Sequence, residues 1–190
     1  MTVNFTVYDP ERSDLGGNAH HGDVQSFCPR LWRYIVERFG VQSMLDVGCG
    51  EGHAVLFFRR LGVIAHGIDG TMINVQRAIT PIALHDLTKG PYTYPCDLVW
   101  SCEVAEHIDE QFVDNYLGSL ANGRIIAMTH GIPGQDGHHH VNNQPREYWI
   151  EKLRSYNFEL DSYNGVFTEL AKREDSDNYF RTTGLVFLRS

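Results

Sequence analysis

The feature of the sequence that most constrains the fold is a short apolar segment that runs directly into a glycine-rich turn. Residues 45–52 read LDVGCGEG, and residues compatible with a helix follow. Glycine lets a ligand approach the backbone closely and lets the following helix pack tightly against the strand. The segment therefore predicts a strand, a ligand-binding turn and a helix, the opening unit of an α/β sheet.

Short apolar runs alternate with longer amphipathic windows along the rest of the chain, which predicts helices packed around a mostly parallel sheet. The predicted strands are 43–48, 63–69, 82–86, 97–101, 124–129, 158–163 and 182–188. The predicted helices are 28–39, 52–61, 71–80, 110–121 and 145–156. A sheet of this type binds its ligand outside the carboxyl ends of the strands, beside the first strand.

Length, charge and hydropathy narrow the class of protein. The 190 residues suit a single domain, 1–190, in which residues 1–42 precede a core of residues 43–190. Sixteen Lys and Arg against 24 Asp and Glu give a net charge of −8, which disfavours nucleic acid as a partner. Apolar runs fall short of the roughly 20 residues that span a membrane, and the amino terminus is polar. Four cysteines without paired spacing indicate reduced thiols, so we expect a cytoplasmic protein without membrane contact.

Three further motifs follow the glycine turn in the order of the predicted strands. HGIDG ends the second strand, HDL ends the third, and CDLVWSCEVAEHI covers the fourth strand and the turn after it. Together with LDVGCGEG, these motifs resemble those of class I S-adenosylmethionine-dependent methyltransferases over residues 43–190. The resemblance implies a Rossmann-like, seven-stranded, mostly parallel sheet flanked by helices, with the last strand antiparallel. It also implies methyl transfer as the activity and S-adenosyl-L-methionine as the cofactor.

The resemblance places the cofactor-binding residues at the strand ends. The glycine loop would cradle the methionine part, Asp69 would bind the ribose hydroxyls, and Asp86 would meet the adenine amino group. Asp69 could equally cap the helix that follows it, and the two roles are compatible. For Asp86 the alternative is a solvated strand end. The expected cofactor-binding set is Asp46, Gly48, Cys49, Gly50, Gly52, Asp69, Gly70, Asp86, Leu87, Ser101 and Glu103.

Three consecutive histidines, His138 to His140, lie in the loop after the fifth predicted strand. That loop leaves the sheet at the edge where a methyl acceptor would lie. Imidazole titrates near neutral pH and can remove the proton of a hydroxyl acceptor. We therefore expect His139 and His140 to act as base and substrate ligand, with Asn142 and Gln144 as hydrogen-bonding partners.

A further histidine follows the fourth predicted strand. His107 lies four residues after Glu103, so the two share a face if this segment is helical. We expect His107 to line the site and include it as a third catalytic candidate.

Two other interpretations of the histidine run remain open. If the loop is extended, Asp136, His138, His140 and Asn142 point to one side and suit a divalent transition metal. The glycines of this loop disfavour sustained extension, so no metal is the prediction. The other interpretation is a solvated polar loop.

The sequence predicts an enzyme that methylates a small polar acceptor, most consistent with an oxygen of a saccharide-like or natural-product molecule. The segment HHVNxQPxEYW resembles one in small methyltransferases thought to act on such compounds. The alternatives are a cofactor-binding regulatory or partner subunit without turnover, or a protein or nucleic-acid methyltransferase. No Asn/Asp-Pro-Pro-Tyr follows the fourth strand, which disfavours methylation of nucleic-acid bases. Residues 1–42 are expected to help close the site as a lid that includes Tyr8, His20, His21 and Phe27; the alternative is an ordinary terminus with no role in the site. The sequence is also compatible with a homodimer.

Overall fold

The fold is a seven-stranded sheet with helices on both faces, preceded by a two-stranded antiparallel pair. The computed structural model describes residues 6–7, 12, 14–172 and 178–190. The strands are β1 (Thr6–Val7), β2 (Asn18–Ala19), β3 (Ser43–Val47), β4 (Ile64–Asp69), β5 (Ala83–Leu84), β6 (Cys96–Ser101), β7 (Gly123–Met128), β8 (Phe158–Leu160) and β9 (Leu185–Arg189). The helices are α1 (Pro29–Phe39), α2 (His53–Arg60), α3 (Met72–Arg77), α4 (Val113–Leu120), α5 (Arg146–Ser155), α6 (Asn164–Lys172) and α7 (Tyr179–Thr183).

The strand order of the large sheet is β5-β4-β3-β6-β7-β9-β8. The pairs from β5 to β7 are all parallel, whereas β9 runs antiparallel to both β7 and β8. The predicted Rossmann-like class with an antiparallel last strand is therefore confirmed. The chain leaves β3 towards β4 and later returns to its other side as β6, so a crevice opens at the carboxyl ends of β3 and β6.

Two apolar layers hold the sheet between the helices. One layer contains Trp32 of α1, Phe58 of α2 and Phe180 of α7. The opposite layer contains Tyr116 of α4 and Trp149 of α5. Successive residues of a strand point to opposite faces, so the central strands must be apolar on both sides. This double burial explains why β3 appears in the sequence as a continuous apolar run.

The carboxyl-terminal part differs from the sequence-based prediction. The strand predicted for 158–163 ends at Leu160, and the strand predicted for 182–188 begins only at Leu185. Asp161 turns the chain, because its Oδ1 accepts a hydrogen bond from the Tyr163 N–H at 2.7 Å. Helices α6 and α7 follow and were not predicted. Both are short, and their buried faces depend on a few aromatic side chains such as Phe180.

Within the described ranges, no helix is both long enough and apolar enough to cross a membrane.

Candidate active site

The turn after β3 requires glycine for two reasons: its backbone has positive φ angles, and neighbouring side chains leave no room for a Cβ. Gly48, Gly50 and Gly52 have φ angles of 73°, 53° and 83°, a region that side chains disfavour. A Cβ at Gly48 would also overlap the Val104 side chain. The N–H groups of Gly48 and Cys49 both donate to Ile68 O at 2.9 Å, which ties the turn to the end of β4. The exposed edge of the turn therefore lies at the carboxyl end of the sheet.

Asp69 connects this turn to helix α3. Its Oδ1 accepts hydrogen bonds from Thr71 N at 2.9 Å, Thr71 Oγ1 at 2.7 Å and Asn74 Nδ2 at 2.9 Å. Its Oδ2 accepts from Gly50 N at 2.9 Å. Asp69 is therefore not the N-cap of α3, which is Thr71, but its carboxylate holds the turn that leads into the helix and also fixes the glycine turn. A role in binding ribose remains a prediction.

Two adjoining cavities of about 590 and 240 Å³ open at this edge of the sheet. Asp46 lies on the larger cavity, and its side chain is almost completely buried. Burial, together with the charge of nearby Asp69, raises the pKa of Asp46 well above its ordinary value. Burial also raises the pKa of Asp69. The residues that border both cavities are Gly17, Gly48, Asp69, Asn74, Glu103 and His107.

These two carboxylates allow a test of whether the site fits the predicted cofactor. S-adenosylmethionine carries a positive sulfonium and an ammonium group. A cation beside Asp46 and Asp69 would offset the electrostatic cost of their burial. The residues present therefore fit the cofactor that the sequence predicts.

Most of the predicted cofactor residues border the cavities. Asp46, Cys49 and Gly50 line the larger cavity, as do the shared residues Gly48, Asp69 and Glu103, and Gly70 and Leu87 line the smaller one.

Three predicted cofactor residues border neither cavity. Gly52 is the residue before α2, and a Cβ there would approach Thr80 and Ile82. The Asp86 carboxylate bonds Thr88 and forms an ion pair with Arg12 at 2.9 Å. Ser101 is fully buried, because it faces the α4 side of the sheet; its Oγ donates to Val47 O at 3.1 Å and accepts from Tyr116 at 3.0 Å.

The histidine run is divided between the cavities. His138 and His140 border the larger cavity, and His139 borders the smaller one. Residues 138–139 form a turn, with a φ of 56° at His139, rather than an extended strand. Among the described residues, the His, Cys, Asp and Glu side chains that cluster as potential metal ligands include His140 but neither Asp136 nor His138. The metal set considered from the sequence is therefore not brought together.

His107 connects the histidine run to the centre of the site. Its Nδ1 lies 3.1 Å from the carbonyl oxygen of His139, and its ring centroid lies 5.0 Å from that of His140. A carbonyl oxygen can only accept, so Nδ1 carries the proton and Nε2 has a free lone pair. His107 is the histidine that borders both cavities.

Two glutamates follow β6 within the motif SCEVAEHI. Glu103 Oε1 accepts a hydrogen bond from Thr129 Oγ1 at 2.9 Å. Burial and the charge of Glu106 raise the pKa of Glu103 to about 8. Sequence reasoning did not assign Glu106 a role, although a charged residue in this largely apolar motif was the available signal.

The segment before the sheet forms one wall of the site. His21 and Phe27 line the larger cavity, whereas His20 lines neither. A Cβ at Gly16 would lie only 2.7 Å from the His107 ring, so this segment packs closely over the histidine. Tyr8 lies outside the described residues, and closure of the segment as a lid remains a prediction.

The comparisons with known proteins agree with this geometry. Residues 45–127 match the family model described as a methyltransferase domain. Comparison with curated protein sequences gives no match.

Solved structures show the same fold at low sequence identity. A TehB-like S-adenosylmethionine-dependent methyltransferase from Corynebacterium glutamicum is 18% identical, with a TM-score of 0.61 over 89% of this chain and 90% of that one. The sugar N-methyltransferase KedS8 from Streptoalloteichus is 16% identical, with a TM-score of 0.61 over 85% and 87%. Magnesium protoporphyrin IX methyltransferase from Synechocystis is 14% identical, with a TM-score of 0.62 over 84% and 80%. These likenesses show the fold, and the methyltransferase-domain model matches residues 45–127, the part of the chain that carries the four sequence motifs.

Proposed function

We propose that this chain, which carries a class I S-adenosylmethionine-dependent methyltransferase domain, methylates an oxygen of a small hydroxylated acceptor of saccharide or natural-product type. The match of residues 45–127 to a methyltransferase domain supports methyl transfer as the activity, and the sequence motifs imply S-adenosylmethionine as the methyl donor. The choice of acceptor rests on the side chains that line the larger cavity. The cavity beside the glycine turn is also bordered by histidines, polar side chains and aromatic rings.

The two cavities suit the two parts of the cofactor. Gly70, Leu87 and Val104 give the smaller cavity a partly apolar wall, which suits adenosine. Asp46 and the glycine turn border the larger cavity, which suits the cationic methionine part. The methyl group would then face the remaining space of the larger cavity.

That remaining space has the walls expected for a hydroxylated acceptor. Gln25, Ser26 and Tyr179 can exchange hydrogen bonds with hydroxyl groups, and the exposed ring of Phe27 offers a surface for stacking. The sugar N-methyltransferase among the similar structures supports a small-molecule acceptor. The net charge of −8 favours such an acceptor over nucleic acid. A homodimer and a cytoplasmic location remain predictions.

The reaction requires one proton to be removed. The acceptor hydroxyl oxygen attacks the methyl carbon as the carbon–sulfur bond breaks, and S-adenosylhomocysteine leaves. The hydroxyl proton passes to a nearby base. His140, on the larger cavity, is the residue of the 138–140 run that we propose for this role, and the His107 ring lies beside it.

We expect Asp69→Asn to weaken S-adenosylmethionine binding by roughly tenfold, because it removes a charge-assisted hydrogen bond of about 1.5 kcal/mol. Asparagine keeps an oxygen that can accept from Thr71 N, so the turn that leads into α3 is largely preserved, whereas the acceptor for Gly50 N is lost. Calorimetric titration of the cofactor measures the change, and the melting temperature without ligand shows whether the fold is intact. Unchanged affinity would remove Asp69 from the cofactor site.

Cofactor binding is expected to release protons. Burial raises the pKa of Asp46 and Asp69 in the free protein, and a cationic ligand favours their charged forms. Binding therefore lowers the pKa values of both carboxyl groups. Cofactor affinity should rise with pH between the pKa values of the cofactor-bound protein and those of the free protein, because the carboxylates must lose their protons to bind the cation. Calorimetry in two buffers of different ionisation enthalpy measures the release. Asp46→Asn should reduce it, and a release equal to that of the unsubstituted protein would contradict this assignment.

Methyl transfer itself is tested by screening. Purified protein with S-adenosylmethionine is offered sugars, polyols and phenols, and formation of S-adenosylhomocysteine is measured for each. Turnover with a hydroxylated compound, with a Michaelis constant raised by Tyr179→Phe or Gln25→Ala at unchanged cofactor affinity, supports the proposal. Cofactor binding without turnover on any acceptor favours a regulatory or partner subunit instead. Turnover only on a protein or nucleic acid would replace the small-molecule assignment.

A further inference from the structure

We propose that Glu106, His107 and His140 form a binding site for a divalent transition-metal ion on the wall of the larger cavity. Their potential ligand atoms all lie within 4.8 Å of one another. Three ligands held about 2.0–2.2 Å from one ion lie roughly 3.3–3.8 Å apart, so the side chains would have to move towards the ion by about 1 Å. The site was not predicted from the sequence, which suggested a different set within the loop.

Glu106 is the strongest indication of a missing cation. Its side chain is 0% exposed, and its carboxylate oxygens meet no donor other than the neighbouring Glu103 carboxyl group. It takes part in none of the ion pairs found among the described residues. Leaving a buried carboxylate without donors is unfavourable, and buried charges are normally paired or bound to metal. A bound divalent ion would supply the partner.

The two imidazoles are oriented as metal ligands usually are. The bond from His107 Nδ1 to the His139 carbonyl fixes the ring and leaves Nε2 available. His140 Nδ1 is buried and has no hydrogen-bond partner. Each ring therefore has a nitrogen available for an ion.

The backbone brings His140 to Glu106. The N–H groups of Val141 and Asn142 donate to the Glu106 carbonyl at 2.9 and 3.0 Å, which fastens the histidine loop to the turn after β6. A Cβ at Gly137 would overlap the His140 ring, so glycine at this position admits the ring. These contacts belong to the fold and do not depend on an ion.

The surrounding charge also favours a cation. Glu103 lies beside Glu106, and two carboxylates so close together repel each other when both are charged. A divalent ion at Glu106 would relieve this repulsion.

The donor set indicates the class of ion. Two imidazoles and one carboxylate suit Zn²⁺, Co²⁺, Mn²⁺ or Fe²⁺ and leave positions open for water or substrate. If the proposed function holds, an acceptor hydroxyl bound to the ion would lose its proton more easily. Such a role would make His140 a ligand instead of the base, although metal binding itself does not depend on the methyl acceptor.

Metal titration tests the site. Tag-free protein is stripped with a chelator, dialysed and titrated near neutral pH with Co²⁺, followed by visible absorption, and with Zn²⁺, followed by calorimetry. We expect one ion per chain and ligand-field bands of bound Co²⁺. Glu106→Gln and His140→Ala should each weaken binding by at least about a hundredfold. His138→Ala, in the same run but outside the cluster, should change it by less than about threefold.

Two outcomes would overturn the proposal: no saturable binding to the unsubstituted protein, or binding that Glu106→Gln leaves undiminished. The first would favour a proton shared between Glu103 and Glu106. Glutamine has the size of glutamate and removes an unpaired buried charge, so the variant should fold, and circular dichroism checks this. Cofactor titration of the metal-free protein is the separate test. Binding of cofactor without binding of metal overturns only this inference, whereas metal binding without cofactor binding overturns the proposed function.

Discussion

Replacing His140 by alanine is expected to lower kcat/KM for methyl transfer by about 100- to 10,000-fold while leaving cofactor affinity within about twofold. His140 borders the acceptor end of the larger cavity beside His107 and does not touch the predicted adenosine wall. Loss of a base and loss of a metal ligand both reduce the reactivity of the acceptor hydroxyl. Formation of S-adenosylhomocysteine under saturating cofactor measures the effect.

A matched histidine gives the control for this prediction. His66 contacts neither cavity, and its Nε2 lies 2.8 Å from Tyr92 Oη. His66→Gln should therefore keep kcat/KM within about twofold. Imidazole added to His140→Ala should restore part of the rate if the residue is the base. Turnover unchanged in both His139→Ala and His140→Ala would discard a catalytic role for the run.

The fold could be predicted from sequence because its main signals are local. The central strands are buried on both faces, so their apolar runs are continuous, and the turn after β3 requires glycine whatever surrounds it. Helices α6 and α7 escaped prediction because they are only nine and five residues long, too short to give a clear helical periodicity. Their stability comes from packing, with Phe167 and Phe180 fully buried in a layer built by distant helices.

The sequence could predict those site residues that lie at the carboxyl end of a strand. Asp46 and Asp69 follow from strand and motif, and both border a cavity. Ser101 also follows the motif, yet strand alternation directs its side chain into the core, where it bonds Tyr116. The spacing of residues along the chain could not show on which face of the sheet the Ser101 side chain lies, because that depends on the register of the whole sheet.

The meeting of Glu106 with His140 was beyond sequence reasoning for another reason. The two residues come from different loops, and they meet because backbone N–H groups after His140 bond the Glu106 carbonyl. Side-chain type gives no information about such backbone pairing. The histidine run was recognisable as functional, but its partners could be identified only from the structure.

Gly48→Ala is expected to weaken S-adenosylmethionine binding by at least about a hundredfold. Holding alanine at a φ of 73° costs about 1–2 kcal/mol, and its Cβ would overlap the Val104 side chain. Valine is stiff about its first side-chain bond, so it cannot simply rotate away, and such overpacking costs about 1–3 kcal/mol. The turn must therefore shift from the position that faces the cofactor.

A double variant separates the two causes. Val104→Ala removes the overlapping methyl groups and leaves the backbone strain at position 48, so Gly48→Ala/Val104→Ala should bind the cofactor roughly tenfold more tightly than Gly48→Ala alone. Val104→Ala by itself serves as the matched control, because Val104 also lines the smaller cavity. Calorimetry of all four proteins gives the coupling energy. Additive effects would show that the glycine turn and the segment carrying Glu106 and His107 are independent. The expected coupling would show that the glycine turn packs against that segment and is held in place by it.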